Sequence, residues 1–92
     1  MARYTKETLE NLLRKVAGKV INRNPQDIDF NANLRGDLGM DSIDLFDILG
    51  LLSQELDVNL YPEDFKEVNT IAEFLDRLTL NLDKQADKAR ES

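Results

Sequence analysis

The apolar positions of this chain fall into three helical stripes, separated by one long and one short connection. Leu9, Leu12, Leu13, Val16, Val20 and Ile21 recur at the i, i+3, i+4, i+7 spacing of a single helix face. Thr5 is a candidate N-cap, and Glu7 sits in the positive first turn. The predicted helix runs from about Thr5 to Ile21 and stops at Asn22-Arg23-Asn24-Pro25, because Pro25 disfavours helix at Asn24. A second stripe is Leu45, Ile48, Leu49, Leu52 and Leu56, in a helix that starts at Asp41-Ser42. Asp41 caps it, and Asp44 stands three residues on, as in a capping box with Asp in place of Glu. This helix carries a second apolar set on another face, Ile43, Phe46 and Gly50 at i, i+3 and i+7, with Ser42 four residues before Phe46 on that side. A helix apolar on two faces needs two surfaces to pack against; one is the core, and the other is a partner. The third stripe is Ile71, Phe74, Leu75, Leu78 and Leu82, opened by the capping box Thr70-Ile71-Ala72-Glu73.

Between the first two helices lies a connection from roughly Asn22 to Met40. Loops of that length are uncommon in small domains and usually functional. Ile28, Phe30, Leu34 and Leu38 are spaced to pin it to a core, and Gly36 and Gly39 give backbone freedom near its end. Before the last helix, Tyr61-Pro62-Glu63-Asp64-Phe65 predicts one helical turn with Pro62 in its first position. After Asp83 the segment Lys84-Gln85-Ala86-Asp87-Lys88-Ala89-Arg90-Glu91-Ser92 has no core pattern and is expected to fray or stay flexible. The predicted architecture is all-α: three main helices and one short one around a Leu-rich core, with residues 1–82 as the domain and 83–92 as a charged tail.

Composition narrows the chemistry. The 92 residues suit one small domain. Without Cys or His, the chain supplies no disulfide, thiolate zinc site, Cys nucleophile or Ser-His couple. A carboxylate pair would remain, but so short a chain leaves little room for a substrate cleft. The reading is a binding or carrying protein rather than an enzyme, with no metal site. The run Asp29-x-Asn31-x-Asn33 resembles the opening of an EF-hand loop, but Leu34 and Met40 stand where that loop needs Gly and Glu. No apolar run reaches bilayer-spanning length, and Met1-Ala2-Arg3 leads into polar Thr5-Lys6-Glu7 rather than a signal sequence, so a cytoplasmic monomer is expected.

Charge is unevenly spread. The formal net charge is -6, yet residues 27–67 hold eleven acidic residues against only Arg35 and Lys66. Residues 1–23 hold six basic and two acidic residues. An acidic middle repels nucleic acid and anionic membranes and steers the chain towards a basic protein surface.

The segment Asp37-Leu38-Gly39-Met40-Asp41-Ser42-Ile43-Asp44 resembles the acyl carrier protein signature D-L-G-x-D-S-L-D, with Ile43 in place of Leu. The resemblance extends from about Thr5 to Leu82, through the helix plan, the long loop, the Pro62 turn and the Thr70-capped helix. It implies that Ser42 carries 4′-phosphopantetheine, taken from coenzyme A and held through a phosphodiester. A helix N-terminus suits such an anion, with free N–H groups and the positive end of the dipole. The arm would end in a thiol, so a Cys-free chain could hold a thioester. Ser42 has no base beside it other than carboxylates, so activation of its hydroxyl falls to a phosphopantetheinyl transferase.

The resemblance also implies acyl-loading and chain-processing enzymes with basic docking surfaces. Asp41, Ile43, Asp44, Phe46 and Asp47 are the candidate recognition set. Leu34, Leu38, Ile48, Leu52, Leu56, Leu60 and Leu75 are the candidate acyl pocket, since a core of Leu and Ile can part between helices without losing polar bonds. Fatty acid, polyketide or related lipid synthesis is the expected setting. Gly50, Ser53 and Gln54 depart from the family, which often has a large apolar residue at the first position and acids at the others; they point to a specialised carrier. An aminoacyl or peptidyl carrier would use the same arm, and an unmodified helical interaction module is the alternative from another class.

Overall fold

The computed structural model describes residues 4–91, with side-chain surroundings given through Gln85. Residues 1–3, on which the signal-sequence reading partly rests, and Ser92 lie outside the described residues.

Helix α1 spans Lys6–Ile21. The Thr5 side chain accepts a hydrogen bond from the Thr8 amide at 3.1 Å, as its N-cap position requires. The helix ends at Ile21 as expected, two residues before the limit that Pro25 sets. Asn22 takes a left-handed conformation (φ 60°), and the Arg23 amide donates to the Gly18 carbonyl at 2.8 Å. Pro25 instead opens a short 3-10 turn, Pro25–Asp27, which the hydrophobic pattern did not predict. Helix α2 spans Ser42–Leu56 and ends on Asp57, also left-handed. The Pro62 turn forms as a 3-10 turn, Pro62–Asp64. Helix α3 spans Ile71–Glu91.

α3 continues to Glu91, beyond Asp83, where the apolar pattern ends. Residues 83–91 contain neither Gly nor Pro and are rich in Lys, Gln, Ala, Arg and Glu, which propagate a helix once it is nucleated. The Gln85 side chain also donates to the Asn59 carbonyl at 2.7 Å and ties the extension to the connection after α2.

α1 packs against both α2 and α3. The three predicted stripes meet in one core that includes Leu9, Leu13, Val16, Ile48, Leu49, Leu52, Leu56, Ile71, Phe74, Leu75 and Leu78. Burying each such side chain contributes roughly 1.5–3 kcal/mol before the entropy of ordering is subtracted. Ile28, Leu34, Leu38 and Met40 of the long connection are buried in the same core, and Phe30 is half-buried. Phe65, after the Pro62 turn, is buried and packs against Phe74 with ring centroids 4.8 Å apart. No polar or charged residue is buried among the described residues.

Backbone pairing fixes the long connection to the start of α3. Asn33 and Thr70 form an antiparallel bridge. The Leu34 amide donates to the Asn69 carbonyl, that of Ile71 to Ala32, and that of Ala72 to Phe30. These bonds occupy the amides of Ile71 and Ala72, which a helix start otherwise leaves without a partner. The Thr70 box completes the cap: the Thr70 hydroxyl accepts from the Glu73 amide, and Glu73 Oε1 accepts from the Thr70 amide, each at 3.1 Å.

Candidate functional site

The approach to Ser42 is a self-bonded loop. Asn33 organises it. Its side-chain Oδ1 accepts from the amides of Arg35 at 3.1 Å and Gly36 at 2.8 Å. Its own amide donates to Asp37 Oδ2 at 2.7 Å. Its carbonyl accepts from the amides of Asp37 and Leu38, both at 3.0 Å. The Met40 amide then donates to the Leu34 carbonyl at 2.9 Å, closing the turn. Leu34, Leu38 and Met40 point inward, while Arg35, Gly36, Asp37 and Gly39 stay exposed. Thus Asp37, the first residue of the motif, holds the loop by accepting a backbone hydrogen bond. Asn33 enters the sequence reading only through the EF-hand-like run; the signal for its loop-organising role is its place four residues before an Asp, among turn-forming residues.

Gly39 has φ +68°, so the chain turns there through the left-handed region that only glycine enters freely. Two residues later the chain is extended at Asp41, and α2 begins. The capping box is present in full. Asp41 Oδ1 accepts from the Asp44 amide at 3.0 Å, and Asp44 Oδ2 accepts from the Asp41 amide at 3.2 Å. Both carboxylates are thereby fixed on the first turn.

Ser42 is the first residue of α2 and is exposed. Among the described residues its hydroxyl has no hydrogen-bond partner and no base other than the flanking carboxylates. The amides of Ser42 and Ile43 precede the first bond of the helix ladder, which runs from the Leu45 amide to the Asp41 carbonyl. An exposed hydroxyl beside two free amides, at the positive end of a helix, fits a phosphodiester attached there.

The remaining predicted residues divide into two sets. Ile43, Phe46 and Asp47 are exposed on α2, with Asp44 half-buried; Ile43 is 69% and Phe46 54% exposed. α2 has no basic residue, so this face is acidic and apolar. Leu34, Leu38, Ile48, Leu52, Leu56 and Leu75 lie together in the core with Leu60 half-buried against them. The Asp29-Asn31 start of the EF-hand-like run forms a local turn, the Asn31 amide donating to Asp29 Oδ1 at 2.9 Å.

The family described as "Phosphopantetheine attachment site" matches residues 11–78, from within α1 to within α3 and across the whole Ser42 segment. The chain belongs to this family. Its carrier domains hold covalently bound 4′-phosphopantetheine, are non-catalytic, and work with phosphopantetheinyl transferases and biosynthetic enzymes. The acyl carrier protein of Buchnera aphidicola subsp. Schizaphis graminum (strain Sg) is 28% identical over 68 residues, covering 74% of this chain and 86% of that one. Among solved structures, the crystal structure of a free-standing peptidyl carrier protein from an uncharacterised secondary metabolic pathway of Acinetobacter baumannii superposes with a TM-score of 0.72. It is 23% identical and covers 84% of this chain and 95% of that one, a likeness of fold. No helix among the described residues is long and apolar enough to cross a membrane.

Proposed function

We propose that this carrier domain bears its arm on Ser42 and ferries acyl intermediates as thioesters between enzymes of fatty acid, polyketide or related lipid synthesis. The observation that carries the reading is the exposed Ser42 hydroxyl at the first position of α2, behind the left-handed Gly39 and inside the capping box of Asp41 and Asp44. The arm supplies the thiol that the chain lacks. The protein's own residues orient it: Asp41 and Asp44 fix the helix start, and the free amides of Ser42 and Ile43 face the attachment point.

Asp41, Ile43, Asp44, Phe46 and Asp47 form the docking face for basic partner enzymes, supported by the absence of any cation on α2. The core around Leu34, Leu38, Ile48, Leu52, Leu56, Leu60 and Leu75 receives the acyl chain. The carrier acts as a cytoplasmic monomer with dissociable partners. The peptidyl carrier protein of similar fold uses the same helix plan, so fold alone does not select the cargo. The acidic middle of the chain and the Asp37-Leu38-Gly39 approach support an acyl cargo over an aminoacyl one.

The test is intact-mass analysis after incubation with coenzyme A and a broad-specificity phosphopantetheinyl transferase. Wild type should gain one phosphopantetheinyl group, and Ser42→Ala should gain none. An unchanged wild-type mass sinks the reading. Loading the modified protein with an acyltransferase, and separately with an amino-acid-adenylating enzyme, distinguishes the two cargo classes.

A further inference from the structure

The outer face of α2 carries an apolar line that the bundle does not use. Ile43, Phe46 and Gly50 follow one another along it, and all three are exposed. At Gly50 the line dips to bare backbone over a shallow depression that is open to solvent. A Cβ added there would meet nothing within 4 Å. The walls are Phe46, Asp47 and Leu51 of α2, with Lys19 and Val20 from the last turn of α1. Glycine is a poor helix former, and the usual structural reasons for keeping one are missing here. The backbone at Gly50 is ordinary helix rather than left-handed, and no neighbouring group crowds the position. What the glycine provides is empty volume next to exposed aromatic and aliphatic surface.

We propose that Gly50 forms a specificity notch in the docking face, taking one large apolar side chain from an amphipathic basic helix of a processing enzyme. The proposal rests on the carrier reading, which supplies the partner. Phe46, Leu51 and Val20 offer the apolar walls. Asp47 borders the notch, Asp44 lies one turn earlier, and α2 holds no cation, so the residues flanking the inserted side chain are Lys or Arg. Lys19, on the α1 wall, repels cations on that side and so sets which way the visiting helix lies. The notch is eight residues beyond Ser42 (50 minus 42), about 12 Å along the helix, which puts the attachment site and the notch under one docking partner. A carrier with a side chain filling this place would present a bump, and a partner shaped for the notch would reject it.

The experiment uses the full chain, isotope-labelled, titrated by NMR with a short amphipathic helical peptide of leucine and lysine. A scrambled peptide of the same composition is the control for bare charge attraction. The amphipathic peptide should bind more tightly than the scrambled one and perturb the amides of Val20, Phe46, Gly50 and Leu51 first. Gly50→Met, which fills the notch, should weaken it about tenfold. Gly50→Ala, which leaves most of the hollow open, should stay within about threefold of wild type. Gly50→Met should melt no lower than wild type, because Met is the better helix former, so lost binding is not lost folding. Equal affinity of wild type and Gly50→Met, no preference over the scrambled peptide, or perturbations centred on another face would overturn the notch. Arm attachment to the wild-type chain is read by intact mass in a parallel sample, so failure of the carrier reading registers as a different result.

Discussion

Three glycines of this chain should respond to the same Gly→Ala change in different ways, because each occupies a different physical situation. At Gly39 the added Cβ has open space, but φ is +68°, so an L side chain costs about 1–2 kcal/mol. At Gly18 the backbone is ordinary helix, yet the new Cβ would lie 2.5 Å from the Arg23 carbonyl oxygen. That oxygen belongs to the backbone that closes α1 and cannot rotate aside. Overpacking of this kind costs on the order of 1–3 kcal/mol. At Gly50 neither cost applies, and Ala should stabilise by up to about 1 kcal/mol through helix propensity. Urea denaturation of the three variants checks the signs; a stabilised Gly18→Ala or a destabilised Gly50→Ala would contradict the geometry. Gly39 and Ser42 were legible in the sequence because a motif carried them. Asn33 was not, because its role consists of hydrogen bonds to loop amides whose positions no periodic pattern specifies.

At the scale of elements, the helices were read from their stripes and capping boxes, both of which are local and therefore visible. The Thr70 box can be tested apart from function. Thr70→Ala removes the oxygen that accepts from the Glu73 amide and should cost about 1 kcal/mol in denaturant unfolding, with no change in the rate of arm attachment. Two features escaped the pattern. The pairing of residues 30–34 with the start of α3 is made by backbone groups, which leave no side-chain signature. The extension of α3 to Glu91 rests on propensity, and stripe reading discounts a segment that has nothing to bury. α2 makes a prediction of its own. Replacing Asp44 and Asp47 with Asn removes two of its three acidic groups and no cation. The double variant should receive the arm several-fold more slowly at low salt, through slower association, and its rate should depend less on ionic strength. Asn at residue 44 keeps a side-chain oxygen for the cap, so the helix start survives. Modification at the wild-type rate at low salt would reduce this face to solvating surface.

For the molecule as a whole, the question is whether the core is only a core. It is one continuous apolar cluster drawn from all three helices and the long connection, with no buried polar or charged residue among the described residues. Parting two of its helices therefore breaks dispersion contacts but leaves no polar group without a partner. Against that cost stands the transfer of the cargo out of water, at roughly 0.8 kcal/mol per buried CH₂. A few methylenes do not repay the loss of close packing, whereas a chain of medium length does, since its contribution grows with each carbon. Any ligand held by the folded state and not by the unfolded chain raises stability. A medium-length acyl thioester on the arm should thus raise the melting temperature above that of the bare-arm form, and a two-carbon acyl group should leave it nearly unchanged. The same loading should move the NMR signals of Ile48, Leu52 and Leu75, which are fully buried and far from bulk solvent in the closed bundle. Equal melting temperatures for the medium-chain and bare-arm forms, with those three signals unmoved, would mean that the chain lies outside the bundle and that shielding it falls to the partner enzymes.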